Sequence, residues 1–513
     1  MQRRVRAIPS GLGAGLVAAM VCSVFAWLGV VNGDEGWYAI CARIVSEGRL
    51  PYRDFAFTQG PVYLYLLAPF VRLVPDLYTA RAVSVVCTAV AVGLLVTMAN
   101  RVGGKWAARA SCLALLATIP SLPYWLSITK TYALSCLLLS AILFTLTSAT
   151  RPAVRYPVVA ALAVVLTETR STGFPLALLL IVALMVLSPE PKIRVRVVMA
   201  SVAATVPFAV LVSLEWTRAK WGLLDYHHLS SKGTPGPGRF VSRTFAVAHA
   251  WPGPFVLATA ALVVVLFDAG IRARLRRRLD LVAVAVGIVL FVVLHEAAAQ
   301  FFSEEYLAPV IAPLVVVSVV ILVRAATAQG AAALSRRLNL AVRGVLVGAI
   351  AFTAFTGGHS YYLGAPGWSG DPAGLSAITK CVQRYSKPHD TVFALSLEEV
   401  VVEAHRQPVP GVTLGVFSYQ DFSIDKARQM KVLDAATLAS TFQHRPPKVA
   451  VLTVDDIFET HRAGYFSHQK VVNNAWYFRF QAYKPVCHVT IIRHVFKNEP
   501  VVVTVYARGG ARH

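Results

Sequence analysis

Long apolar runs recur along residues 1–357, and that recurrence restricts the fold of this chain more than any other feature. A hydrocarbon core of about 30 Å takes about 20 helical residues to cross, and most of these runs reach that length. The composition agrees, since 513 residues that are 56% hydrophobic and only 15% charged do not make an ordinary soluble globule. The expected fold is a polytopic α-helical membrane protein with a soluble α/β domain after it.

About eleven transmembrane helices are expected, near 11–31, 78–100, 108–122, 129–149, 156–169, 172–188, 197–216, 251–268, 281–295, 305–323 and 341–357. The fifth and sixth are short and meet at Thr167–Ser171, either as a tight helical hairpin or as one broken span.

Lys and Arg collect in short cytoplasmic loops, which tests the count. Arg3, Arg4 and Arg6 precede the first span. Alternate loops then hold Arg101, Lys105 and Arg109; Arg151 and Arg155; Lys192, Arg194 and Arg196; Arg272 to Arg278; and Arg324, Arg336, Arg337 and Arg343. Those inner segments contain only Glu190, Asp268 and Asp280 as acids. The pattern puts the N-terminus inside, on an uncleaved signal anchor, and residues 358–513 outside the plasma (inner) membrane. Much of the net charge of +23 thus faces anionic lipid, and no aromatic-interleaved basic domain points to nucleic acid. Of the seven cysteines, only Cys381 and Cys487 fall in the terminal domain. Their pairing is left open, because spacing does not show how closely their Cα atoms approach.

The first outer segment, 32–77, is too patterned for a slack connection. One interfacial helix begins near Asp34 and stops at Gly48; a second begins near Pro61 and runs toward Arg72. Asp34 and Glu35 thus stand at the outer mouth of the first span. Asp34 has two compatible readings, a helix N-cap and a general base for an acceptor hydroxyl, while Glu35 suits the positive end of the helix dipole. Asp54 reads as a turn cap or a partner of Arg53.

Asp34-Glu35-Gly36-x-Tyr38, followed by Ala42, Gly48, Pro51-Tyr52-x-Asp54, Gly60-Pro61 and Arg81, resembles the opening of the C-type superfamily of integral-membrane glycosyltransferases. Its relatives include protein O-mannosyltransferases and the aminoarabinose transferase that modifies lipid A. The resemblance covers residues 10 to about 188 and beyond that is one of architecture. It implies an inverting sugar transfer from a polyprenyl-phosphate donor to an acceptor hydroxyl on glycan, lipid or protein, on the extracytoplasmic side. Asp34 would be the catalytic base and Glu35 would orient it or the acceptor.

The resemblance also implies a phosphate-binding cation at Arg170. The competing reading pairs Arg170 with Glu168 or lets it snorkel to headgroups. Arg53, Arg81 and Lys130 are lesser candidates, the last two better suited to interfacial anchoring. Glu304-Glu305-Tyr306 matches the region before the tenth span of such enzymes, but two acids stand where a base is usual, so Glu305 and Tyr306 suit sugar or metal contact better than phosphate. No cofactor is required. A divalent metal is conceivable if Asp34, Glu35 or Glu305 converge on a diphosphate. His227 and His228 with Asp225 form only a weak zinc pattern in a Gly- and Pro-rich loop.

In residues 358–513, 390–395 and 448–454 read as buried strands, 397–405 and 431–442 as helices, and 487–496 with 501–507 as a closing hairpin. Asp455-Asp456 and 411–425 would bind sugar or simply end strands, and Arg462, His468, Lys470, Arg479 and Arg493 form a basic face. The rival functions are a secondary transporter or lipid-linked-sugar flippase, which would place its essential acids within spans, and a non-catalytic scaffold presenting the terminal domain, which would not explain a long structured first loop.

Overall fold

The computed structural model describes residues 7–119, 121–188, 190–226, 237–276, 278–298, 304–327, 340, 343–355, 372–420, 422–453, 456, 483–494 and 498–509. Five of its helices are long and apolar enough to cross a membrane: Ser10–Leu28, Leu77–Ala117, Pro152–Thr169, Pro191–Leu214 and Glu305–Thr327. A sixth span results if the bent pair Val241–Ala250 and Pro252–Phe267 is one crossing. The expected count of about eleven exceeds this because Tyr132–Leu146, Ser171–Leu187, Leu279–Val293 and Arg343–Phe355 are apolar but shorter than a full crossing.

Two local readings are refined. The expected 78–100 and 108–122 segments form one helical run, Leu77–Ala117, interrupted at Gly104, whose φ of +80° is non-helical. The segments around Thr167–Ser171 are two helices, Pro152–Thr169 and Phe174–Leu187, which pack on each other across a single 3-10 turn. The centre of the bundle is the pair Leu77–Ala117 and Ala308–Thr327, with Ala7–Leu28 and Tyr132–Leu146 packed on the former. Apolar side chains surround these helices, as a segment enclosed by lipid and protein requires.

Contacts sort the bundle into two ends. At one, Asn100 donates to Ser10 at 3.3 Å, Arg101 lies 4.3 Å over the Phe144 ring, and Arg278 donates to the Leu146 carbonyl at 2.9 Å. These basic groups all come from the arginine-rich loops. The opposite end gathers Asp34, Lys130, Arg170 and Glu305, described below.

Residues 32–77, expected as the first outer segment, fold as two helices, Gly33–Ser46 and Val62–Leu73. Their buried faces carry Tyr38, Ile40, Cys41, Ala42, Ile44, Tyr63, Leu64 and Leu67.

The terminal domain holds a five-stranded sheet in the order β2-β1-β3-β5-β4, with β1 Thr391–Ala394, β2 Gln407–Pro408, β3 Val449–Thr453, β4 Tyr483–His494 and β5 Asn498–Arg508. β1 runs parallel to β2 and β3, β5 pairs antiparallel with β3, and β4 and β5 form the hairpin. β3 is buried along its whole length, the mark of a strand covered on both faces. The expected 431–442 helix starts later, at Ala435, because Lys431 is left-handed (φ +59°) and Asp434 caps it by accepting from Thr437 N at 2.8 Å. A disulfide joins Cys381, on helix Pro372–Tyr385, to Cys487 on β4 with Cα atoms 6.6 Å apart.

This domain sits on the first outer segment. Arg43 donates to Arg406 O at 2.6 Å, Cys41 Sγ to Thr413 O at 3.2 Å, Thr413 Oγ1 to Ala56 O at 3.1 Å, and Glu403 accepts from Leu77 N at 2.8 Å. Arg218 adds a clasp by donating to the carbonyls of Tyr52, Arg53 and Gln429.

Candidate active site

Asn32, rather than Asp34, is the N-cap of Gly33–Ser46: its side chain accepts from Asp34 N at 3.1 Å, and the Glu35 side chain accepts from Asn32 N at 2.9 Å, closing a capping box. Asp34 is thereby released from capping. Its carboxylate accepts from Trp37 Nε1 at 3.2 Å and lies 2.8 Å from Lys130 Nζ, with the side chain 35% exposed.

The two adjacent acids have different environments. Glu35 is fully buried and accepts from Arg81 Nε at 2.8 Å, from a second Arg81 nitrogen at 2.5 Å, and from Thr129 N at 2.8 Å, besides closing the box. Arg81 spends its other donors on the carbonyls of Ala26, Gly29 and Val30 at the end of the first helix. Their side chains thus tie the first helix, the outer segment, the Leu77–Ala117 helix and the Thr129 turn together. Glu35 and Arg81 form a buried pair, and the Arg81 nitrogens all donate to protein oxygens.

Lys130 is the centre of the site. Buried on the turn before Tyr132–Leu146, it bridges Asp34 and Glu305 at 2.8 Å each, with the rings of Trp125 and Tyr132 at 5.8 and 5.4 Å. Tyr132 OH also donates to Glu305 at 3.1 Å. Arg170, at the end of Pro152–Thr169, lies 5.0 Å over Tyr132 and 5.3 Å over Tyr306 and donates to Thr131 Oγ1 at 3.2 Å. Gly60 makes room for that turn: a Cβ there would lie 1.8 Å from Glu168 O. Two cations, two carboxylates and a set of aromatic rings thus converge.

Arg53 and Asp54 do not join them. They pair with each other at 2.8 Å on an exposed turn, where Asp54 also accepts from Leu50 N at 2.7 Å. The divalent-metal expectation does not fit the donor set. Glu35 is consumed by Arg81, and the ammonium of Lys130 occupies the position between Asp34 and Glu305 that a cation would take. Among the described residues no group of three or more His, Cys, Asp or Glu is arranged to hold a metal. His227, His228, Asp455, Arg462, His468, Lys470 and Arg479 lie outside the described residues, as does the side chain of Arg493. Asp456 ends β3 by accepting from Thr453 N at 2.8 Å.

Sequence reasoning missed Trp37, Trp125, Thr131 and Tyr132, although a Lys flanked by aromatics within seven residues carried a signal. It also missed Tyr226, whose ring meets Phe417 of the terminal domain at 6.1 Å.

Bundle and site together define a polytopic membrane protein whose charged, aromatic-walled site lies at one end of the helices, beside a docked α/β domain. The fold is shared with ArnT from Cupriavidus metallidurans. The structure of ArnT bound to undecaprenyl phosphate matches with a TM-score of 0.62 at 15% identity over 96% of this chain and 97% of that one. Its apo state matches at 0.61, with 18% identity over 95% and 96%. An Archaeoglobus fulgidus oligosaccharyltransferase reaches 0.49 at 12% identity over 87% of this chain and 69% of that one, too low to support an argument. No protein-family model and no curated protein sequence matches. The likeness is therefore one of fold, and it extends well past residue 188.

Proposed function

We propose that this protein transfers a sugar from a polyprenyl-phosphate donor to an acceptor hydroxyl at the extracytoplasmic membrane surface. The observation that carries the reading is the Asp34–Lys130–Glu305 bridge beside Arg170, on a fold whose relative ArnT is bound to undecaprenyl phosphate. Outside the cytoplasm a sugar has no nucleotide carrier, so a donor in the bilayer suits a site at the rim. The Cys381–Cys487 disulfide and the arginine-rich loops support that side.

In the resting protein Lys130 occupies one oxygen of Asp34. Donor phosphate would draw Lys130 and Arg170 to its own oxygens, which uncovers Asp34 only when donor is present. The acceptor oxygen then attacks the anomeric carbon and passes its proton to Asp34. The new C–O bond forms on one face while the carbon–phosphate-oxygen bond breaks on the other, its electron pair leaving with polyprenyl phosphate. One displacement inverts the anomeric centre. Lys130 and Arg170 meet the developing charge in a site shielded by aromatic rings, where such contacts contribute most.

The test offers purified protein a panel of labelled polyprenyl-phosphate sugars with candidate acceptors. Asp34→Asn keeps the shape and should lower turnover about 10²–10⁴-fold while donor still binds. Lys130→Met should lose donor binding as well. Asp34→Asn turning over at the wild-type rate would overturn the assignment.

A further inference from the structure

The helix Glu398–Glu403 of the terminal domain abuts the Asp34-Glu35-Gly36 motif so closely that a Cβ on Gly36 would stand 2.5 Å from Glu399 N and 2.8 Å from the carbonyl carbon of Glu398. The Glu398 side chain, 1% exposed, lies in this seam. Gly415 closes its other side, since a Cβ there would fall 2.9 Å from Glu398 Oε2. Neither carboxyl oxygen has a side-chain partner, and among the described residues Glu398 forms no ion pair. The groups whose charge reaches it are Glu399 on its own helix, Asp34 from Gly33–Ser46, and Asp456 beyond β3, with the uncharged Cys41 thiol near enough to feel Glu398 in turn; only the backbone of Gly415 favours the anion. A buried carboxylate facing further acids and no cation is costly, whereas the neutral acid is not.

We propose that Glu398 is a positioning residue: its neutral carboxyl keys the terminal domain onto the Asp34-Glu35-Gly36 motif, and loss of its proton loosens that docking and with it the placement of Asp34. The importance of Asp34 rests on the function proposed above; the latch itself does not.

Burial, then Glu399 and Asp34, push the Glu398 carboxyl well above its ordinary value of 4.5. For an acid raised on folding, the unfolded chain gives up its proton first. The stabilisation is therefore complete below about 4.5 and is lost as pH rises through the folded value. Docking should weaken as pH rises through that folded value.

Cys41 reports docking without any substrate, because its thiol is fully buried against Thr413 O at the seam. Full-length protein in detergent is treated with a maleimide at a series of pH values, and the Cys41 peptide is quantified by mass spectrometry. In wild type, labelling should rise at least tenfold more across the pH series than in Glu398→Gln, which cannot ionise. If Glu398→Gln does not fold, Glu399→Gln serves: removing that neighbouring charge should move the wild-type transition to lower pH. Identical pH profiles for wild type and Glu398→Gln, or an unmoved transition in Glu399→Gln, would overturn the proposal. Flat labelling with intact sugar transfer rejects the latch alone, and a pH-dependent seam without transfer rejects only the proposed reaction.

Discussion

Neutralising Glu35 and truncating Arg81 should unfold the protein rather than slow its chemistry. Arg81→Met removes both nitrogens that Glu35 accepts and leaves the carbonyls of Ala26, Gly29 and Val30 without that donor. Glu35 would keep only Asn32 N and Thr129 N, as a buried carboxylate without its cation. Breaking a buried pair from one side costs about 3–5 kcal/mol, and Glu35→Gln should fall in the same range. Each single variant leaves an uncompensated partner that the double variant does not, so Glu35→Gln with Arg81→Met should cost less than the sum by about 1–3 kcal/mol. The assay is unfolding of detergent-solubilised protein followed by tryptophan fluorescence and circular dichroism. Asp34→Asn is the control: its side chain is a third exposed and Glu305 still pairs with Lys130, so its loss should cost about 1 kcal/mol or less. Wild-type stability in Glu35→Gln, or strict additivity in the double variant, would refute the division of the two acids into structural and chemical roles.

Gly36→Ala should cost about 1–3 kcal/mol and raise Cys41 labelling at neutral pH, because the added methyl meets backbone atoms of Glu398 and Glu399 that only a shift of the domain can relieve. Replacing Cys381 and Cys487 by Ser should lower stability by about 2–5 kcal/mol, as expected for a cross-link spanning 106 residues, with the largest change in the protease resistance of the terminal domain. Chelators should leave sugar transfer unchanged, since Lys130 and Arg170 supply the positive charge; a turnover that requires added divalent metal would contradict this.

Apolar length and the distribution of arginine depend on local composition, so the membrane class, the two helices after Asn32 and the strands at 391–394 and 449–453 could be read directly from the chain. The Asp34-Glu35-Gly36 motif likewise marked a segment that the fold brings against Lys130. Which residue does what could not be read that way. Asp34 and Glu35 are chemically similar neighbours, and only the arrival of Arg81 and Thr129 on one and Lys130 on the other separates them. Lys130 looked like an interfacial anchor until Glu305, 175 residues away, closed on it. The close approach of the terminal domain to Gly36 at Glu398 and Glu399 has no local signature. Helix formation and burial are set by nearest neighbours and solvent, whereas the electrostatic fate of a carboxylate is set by whichever distant segment folds against it.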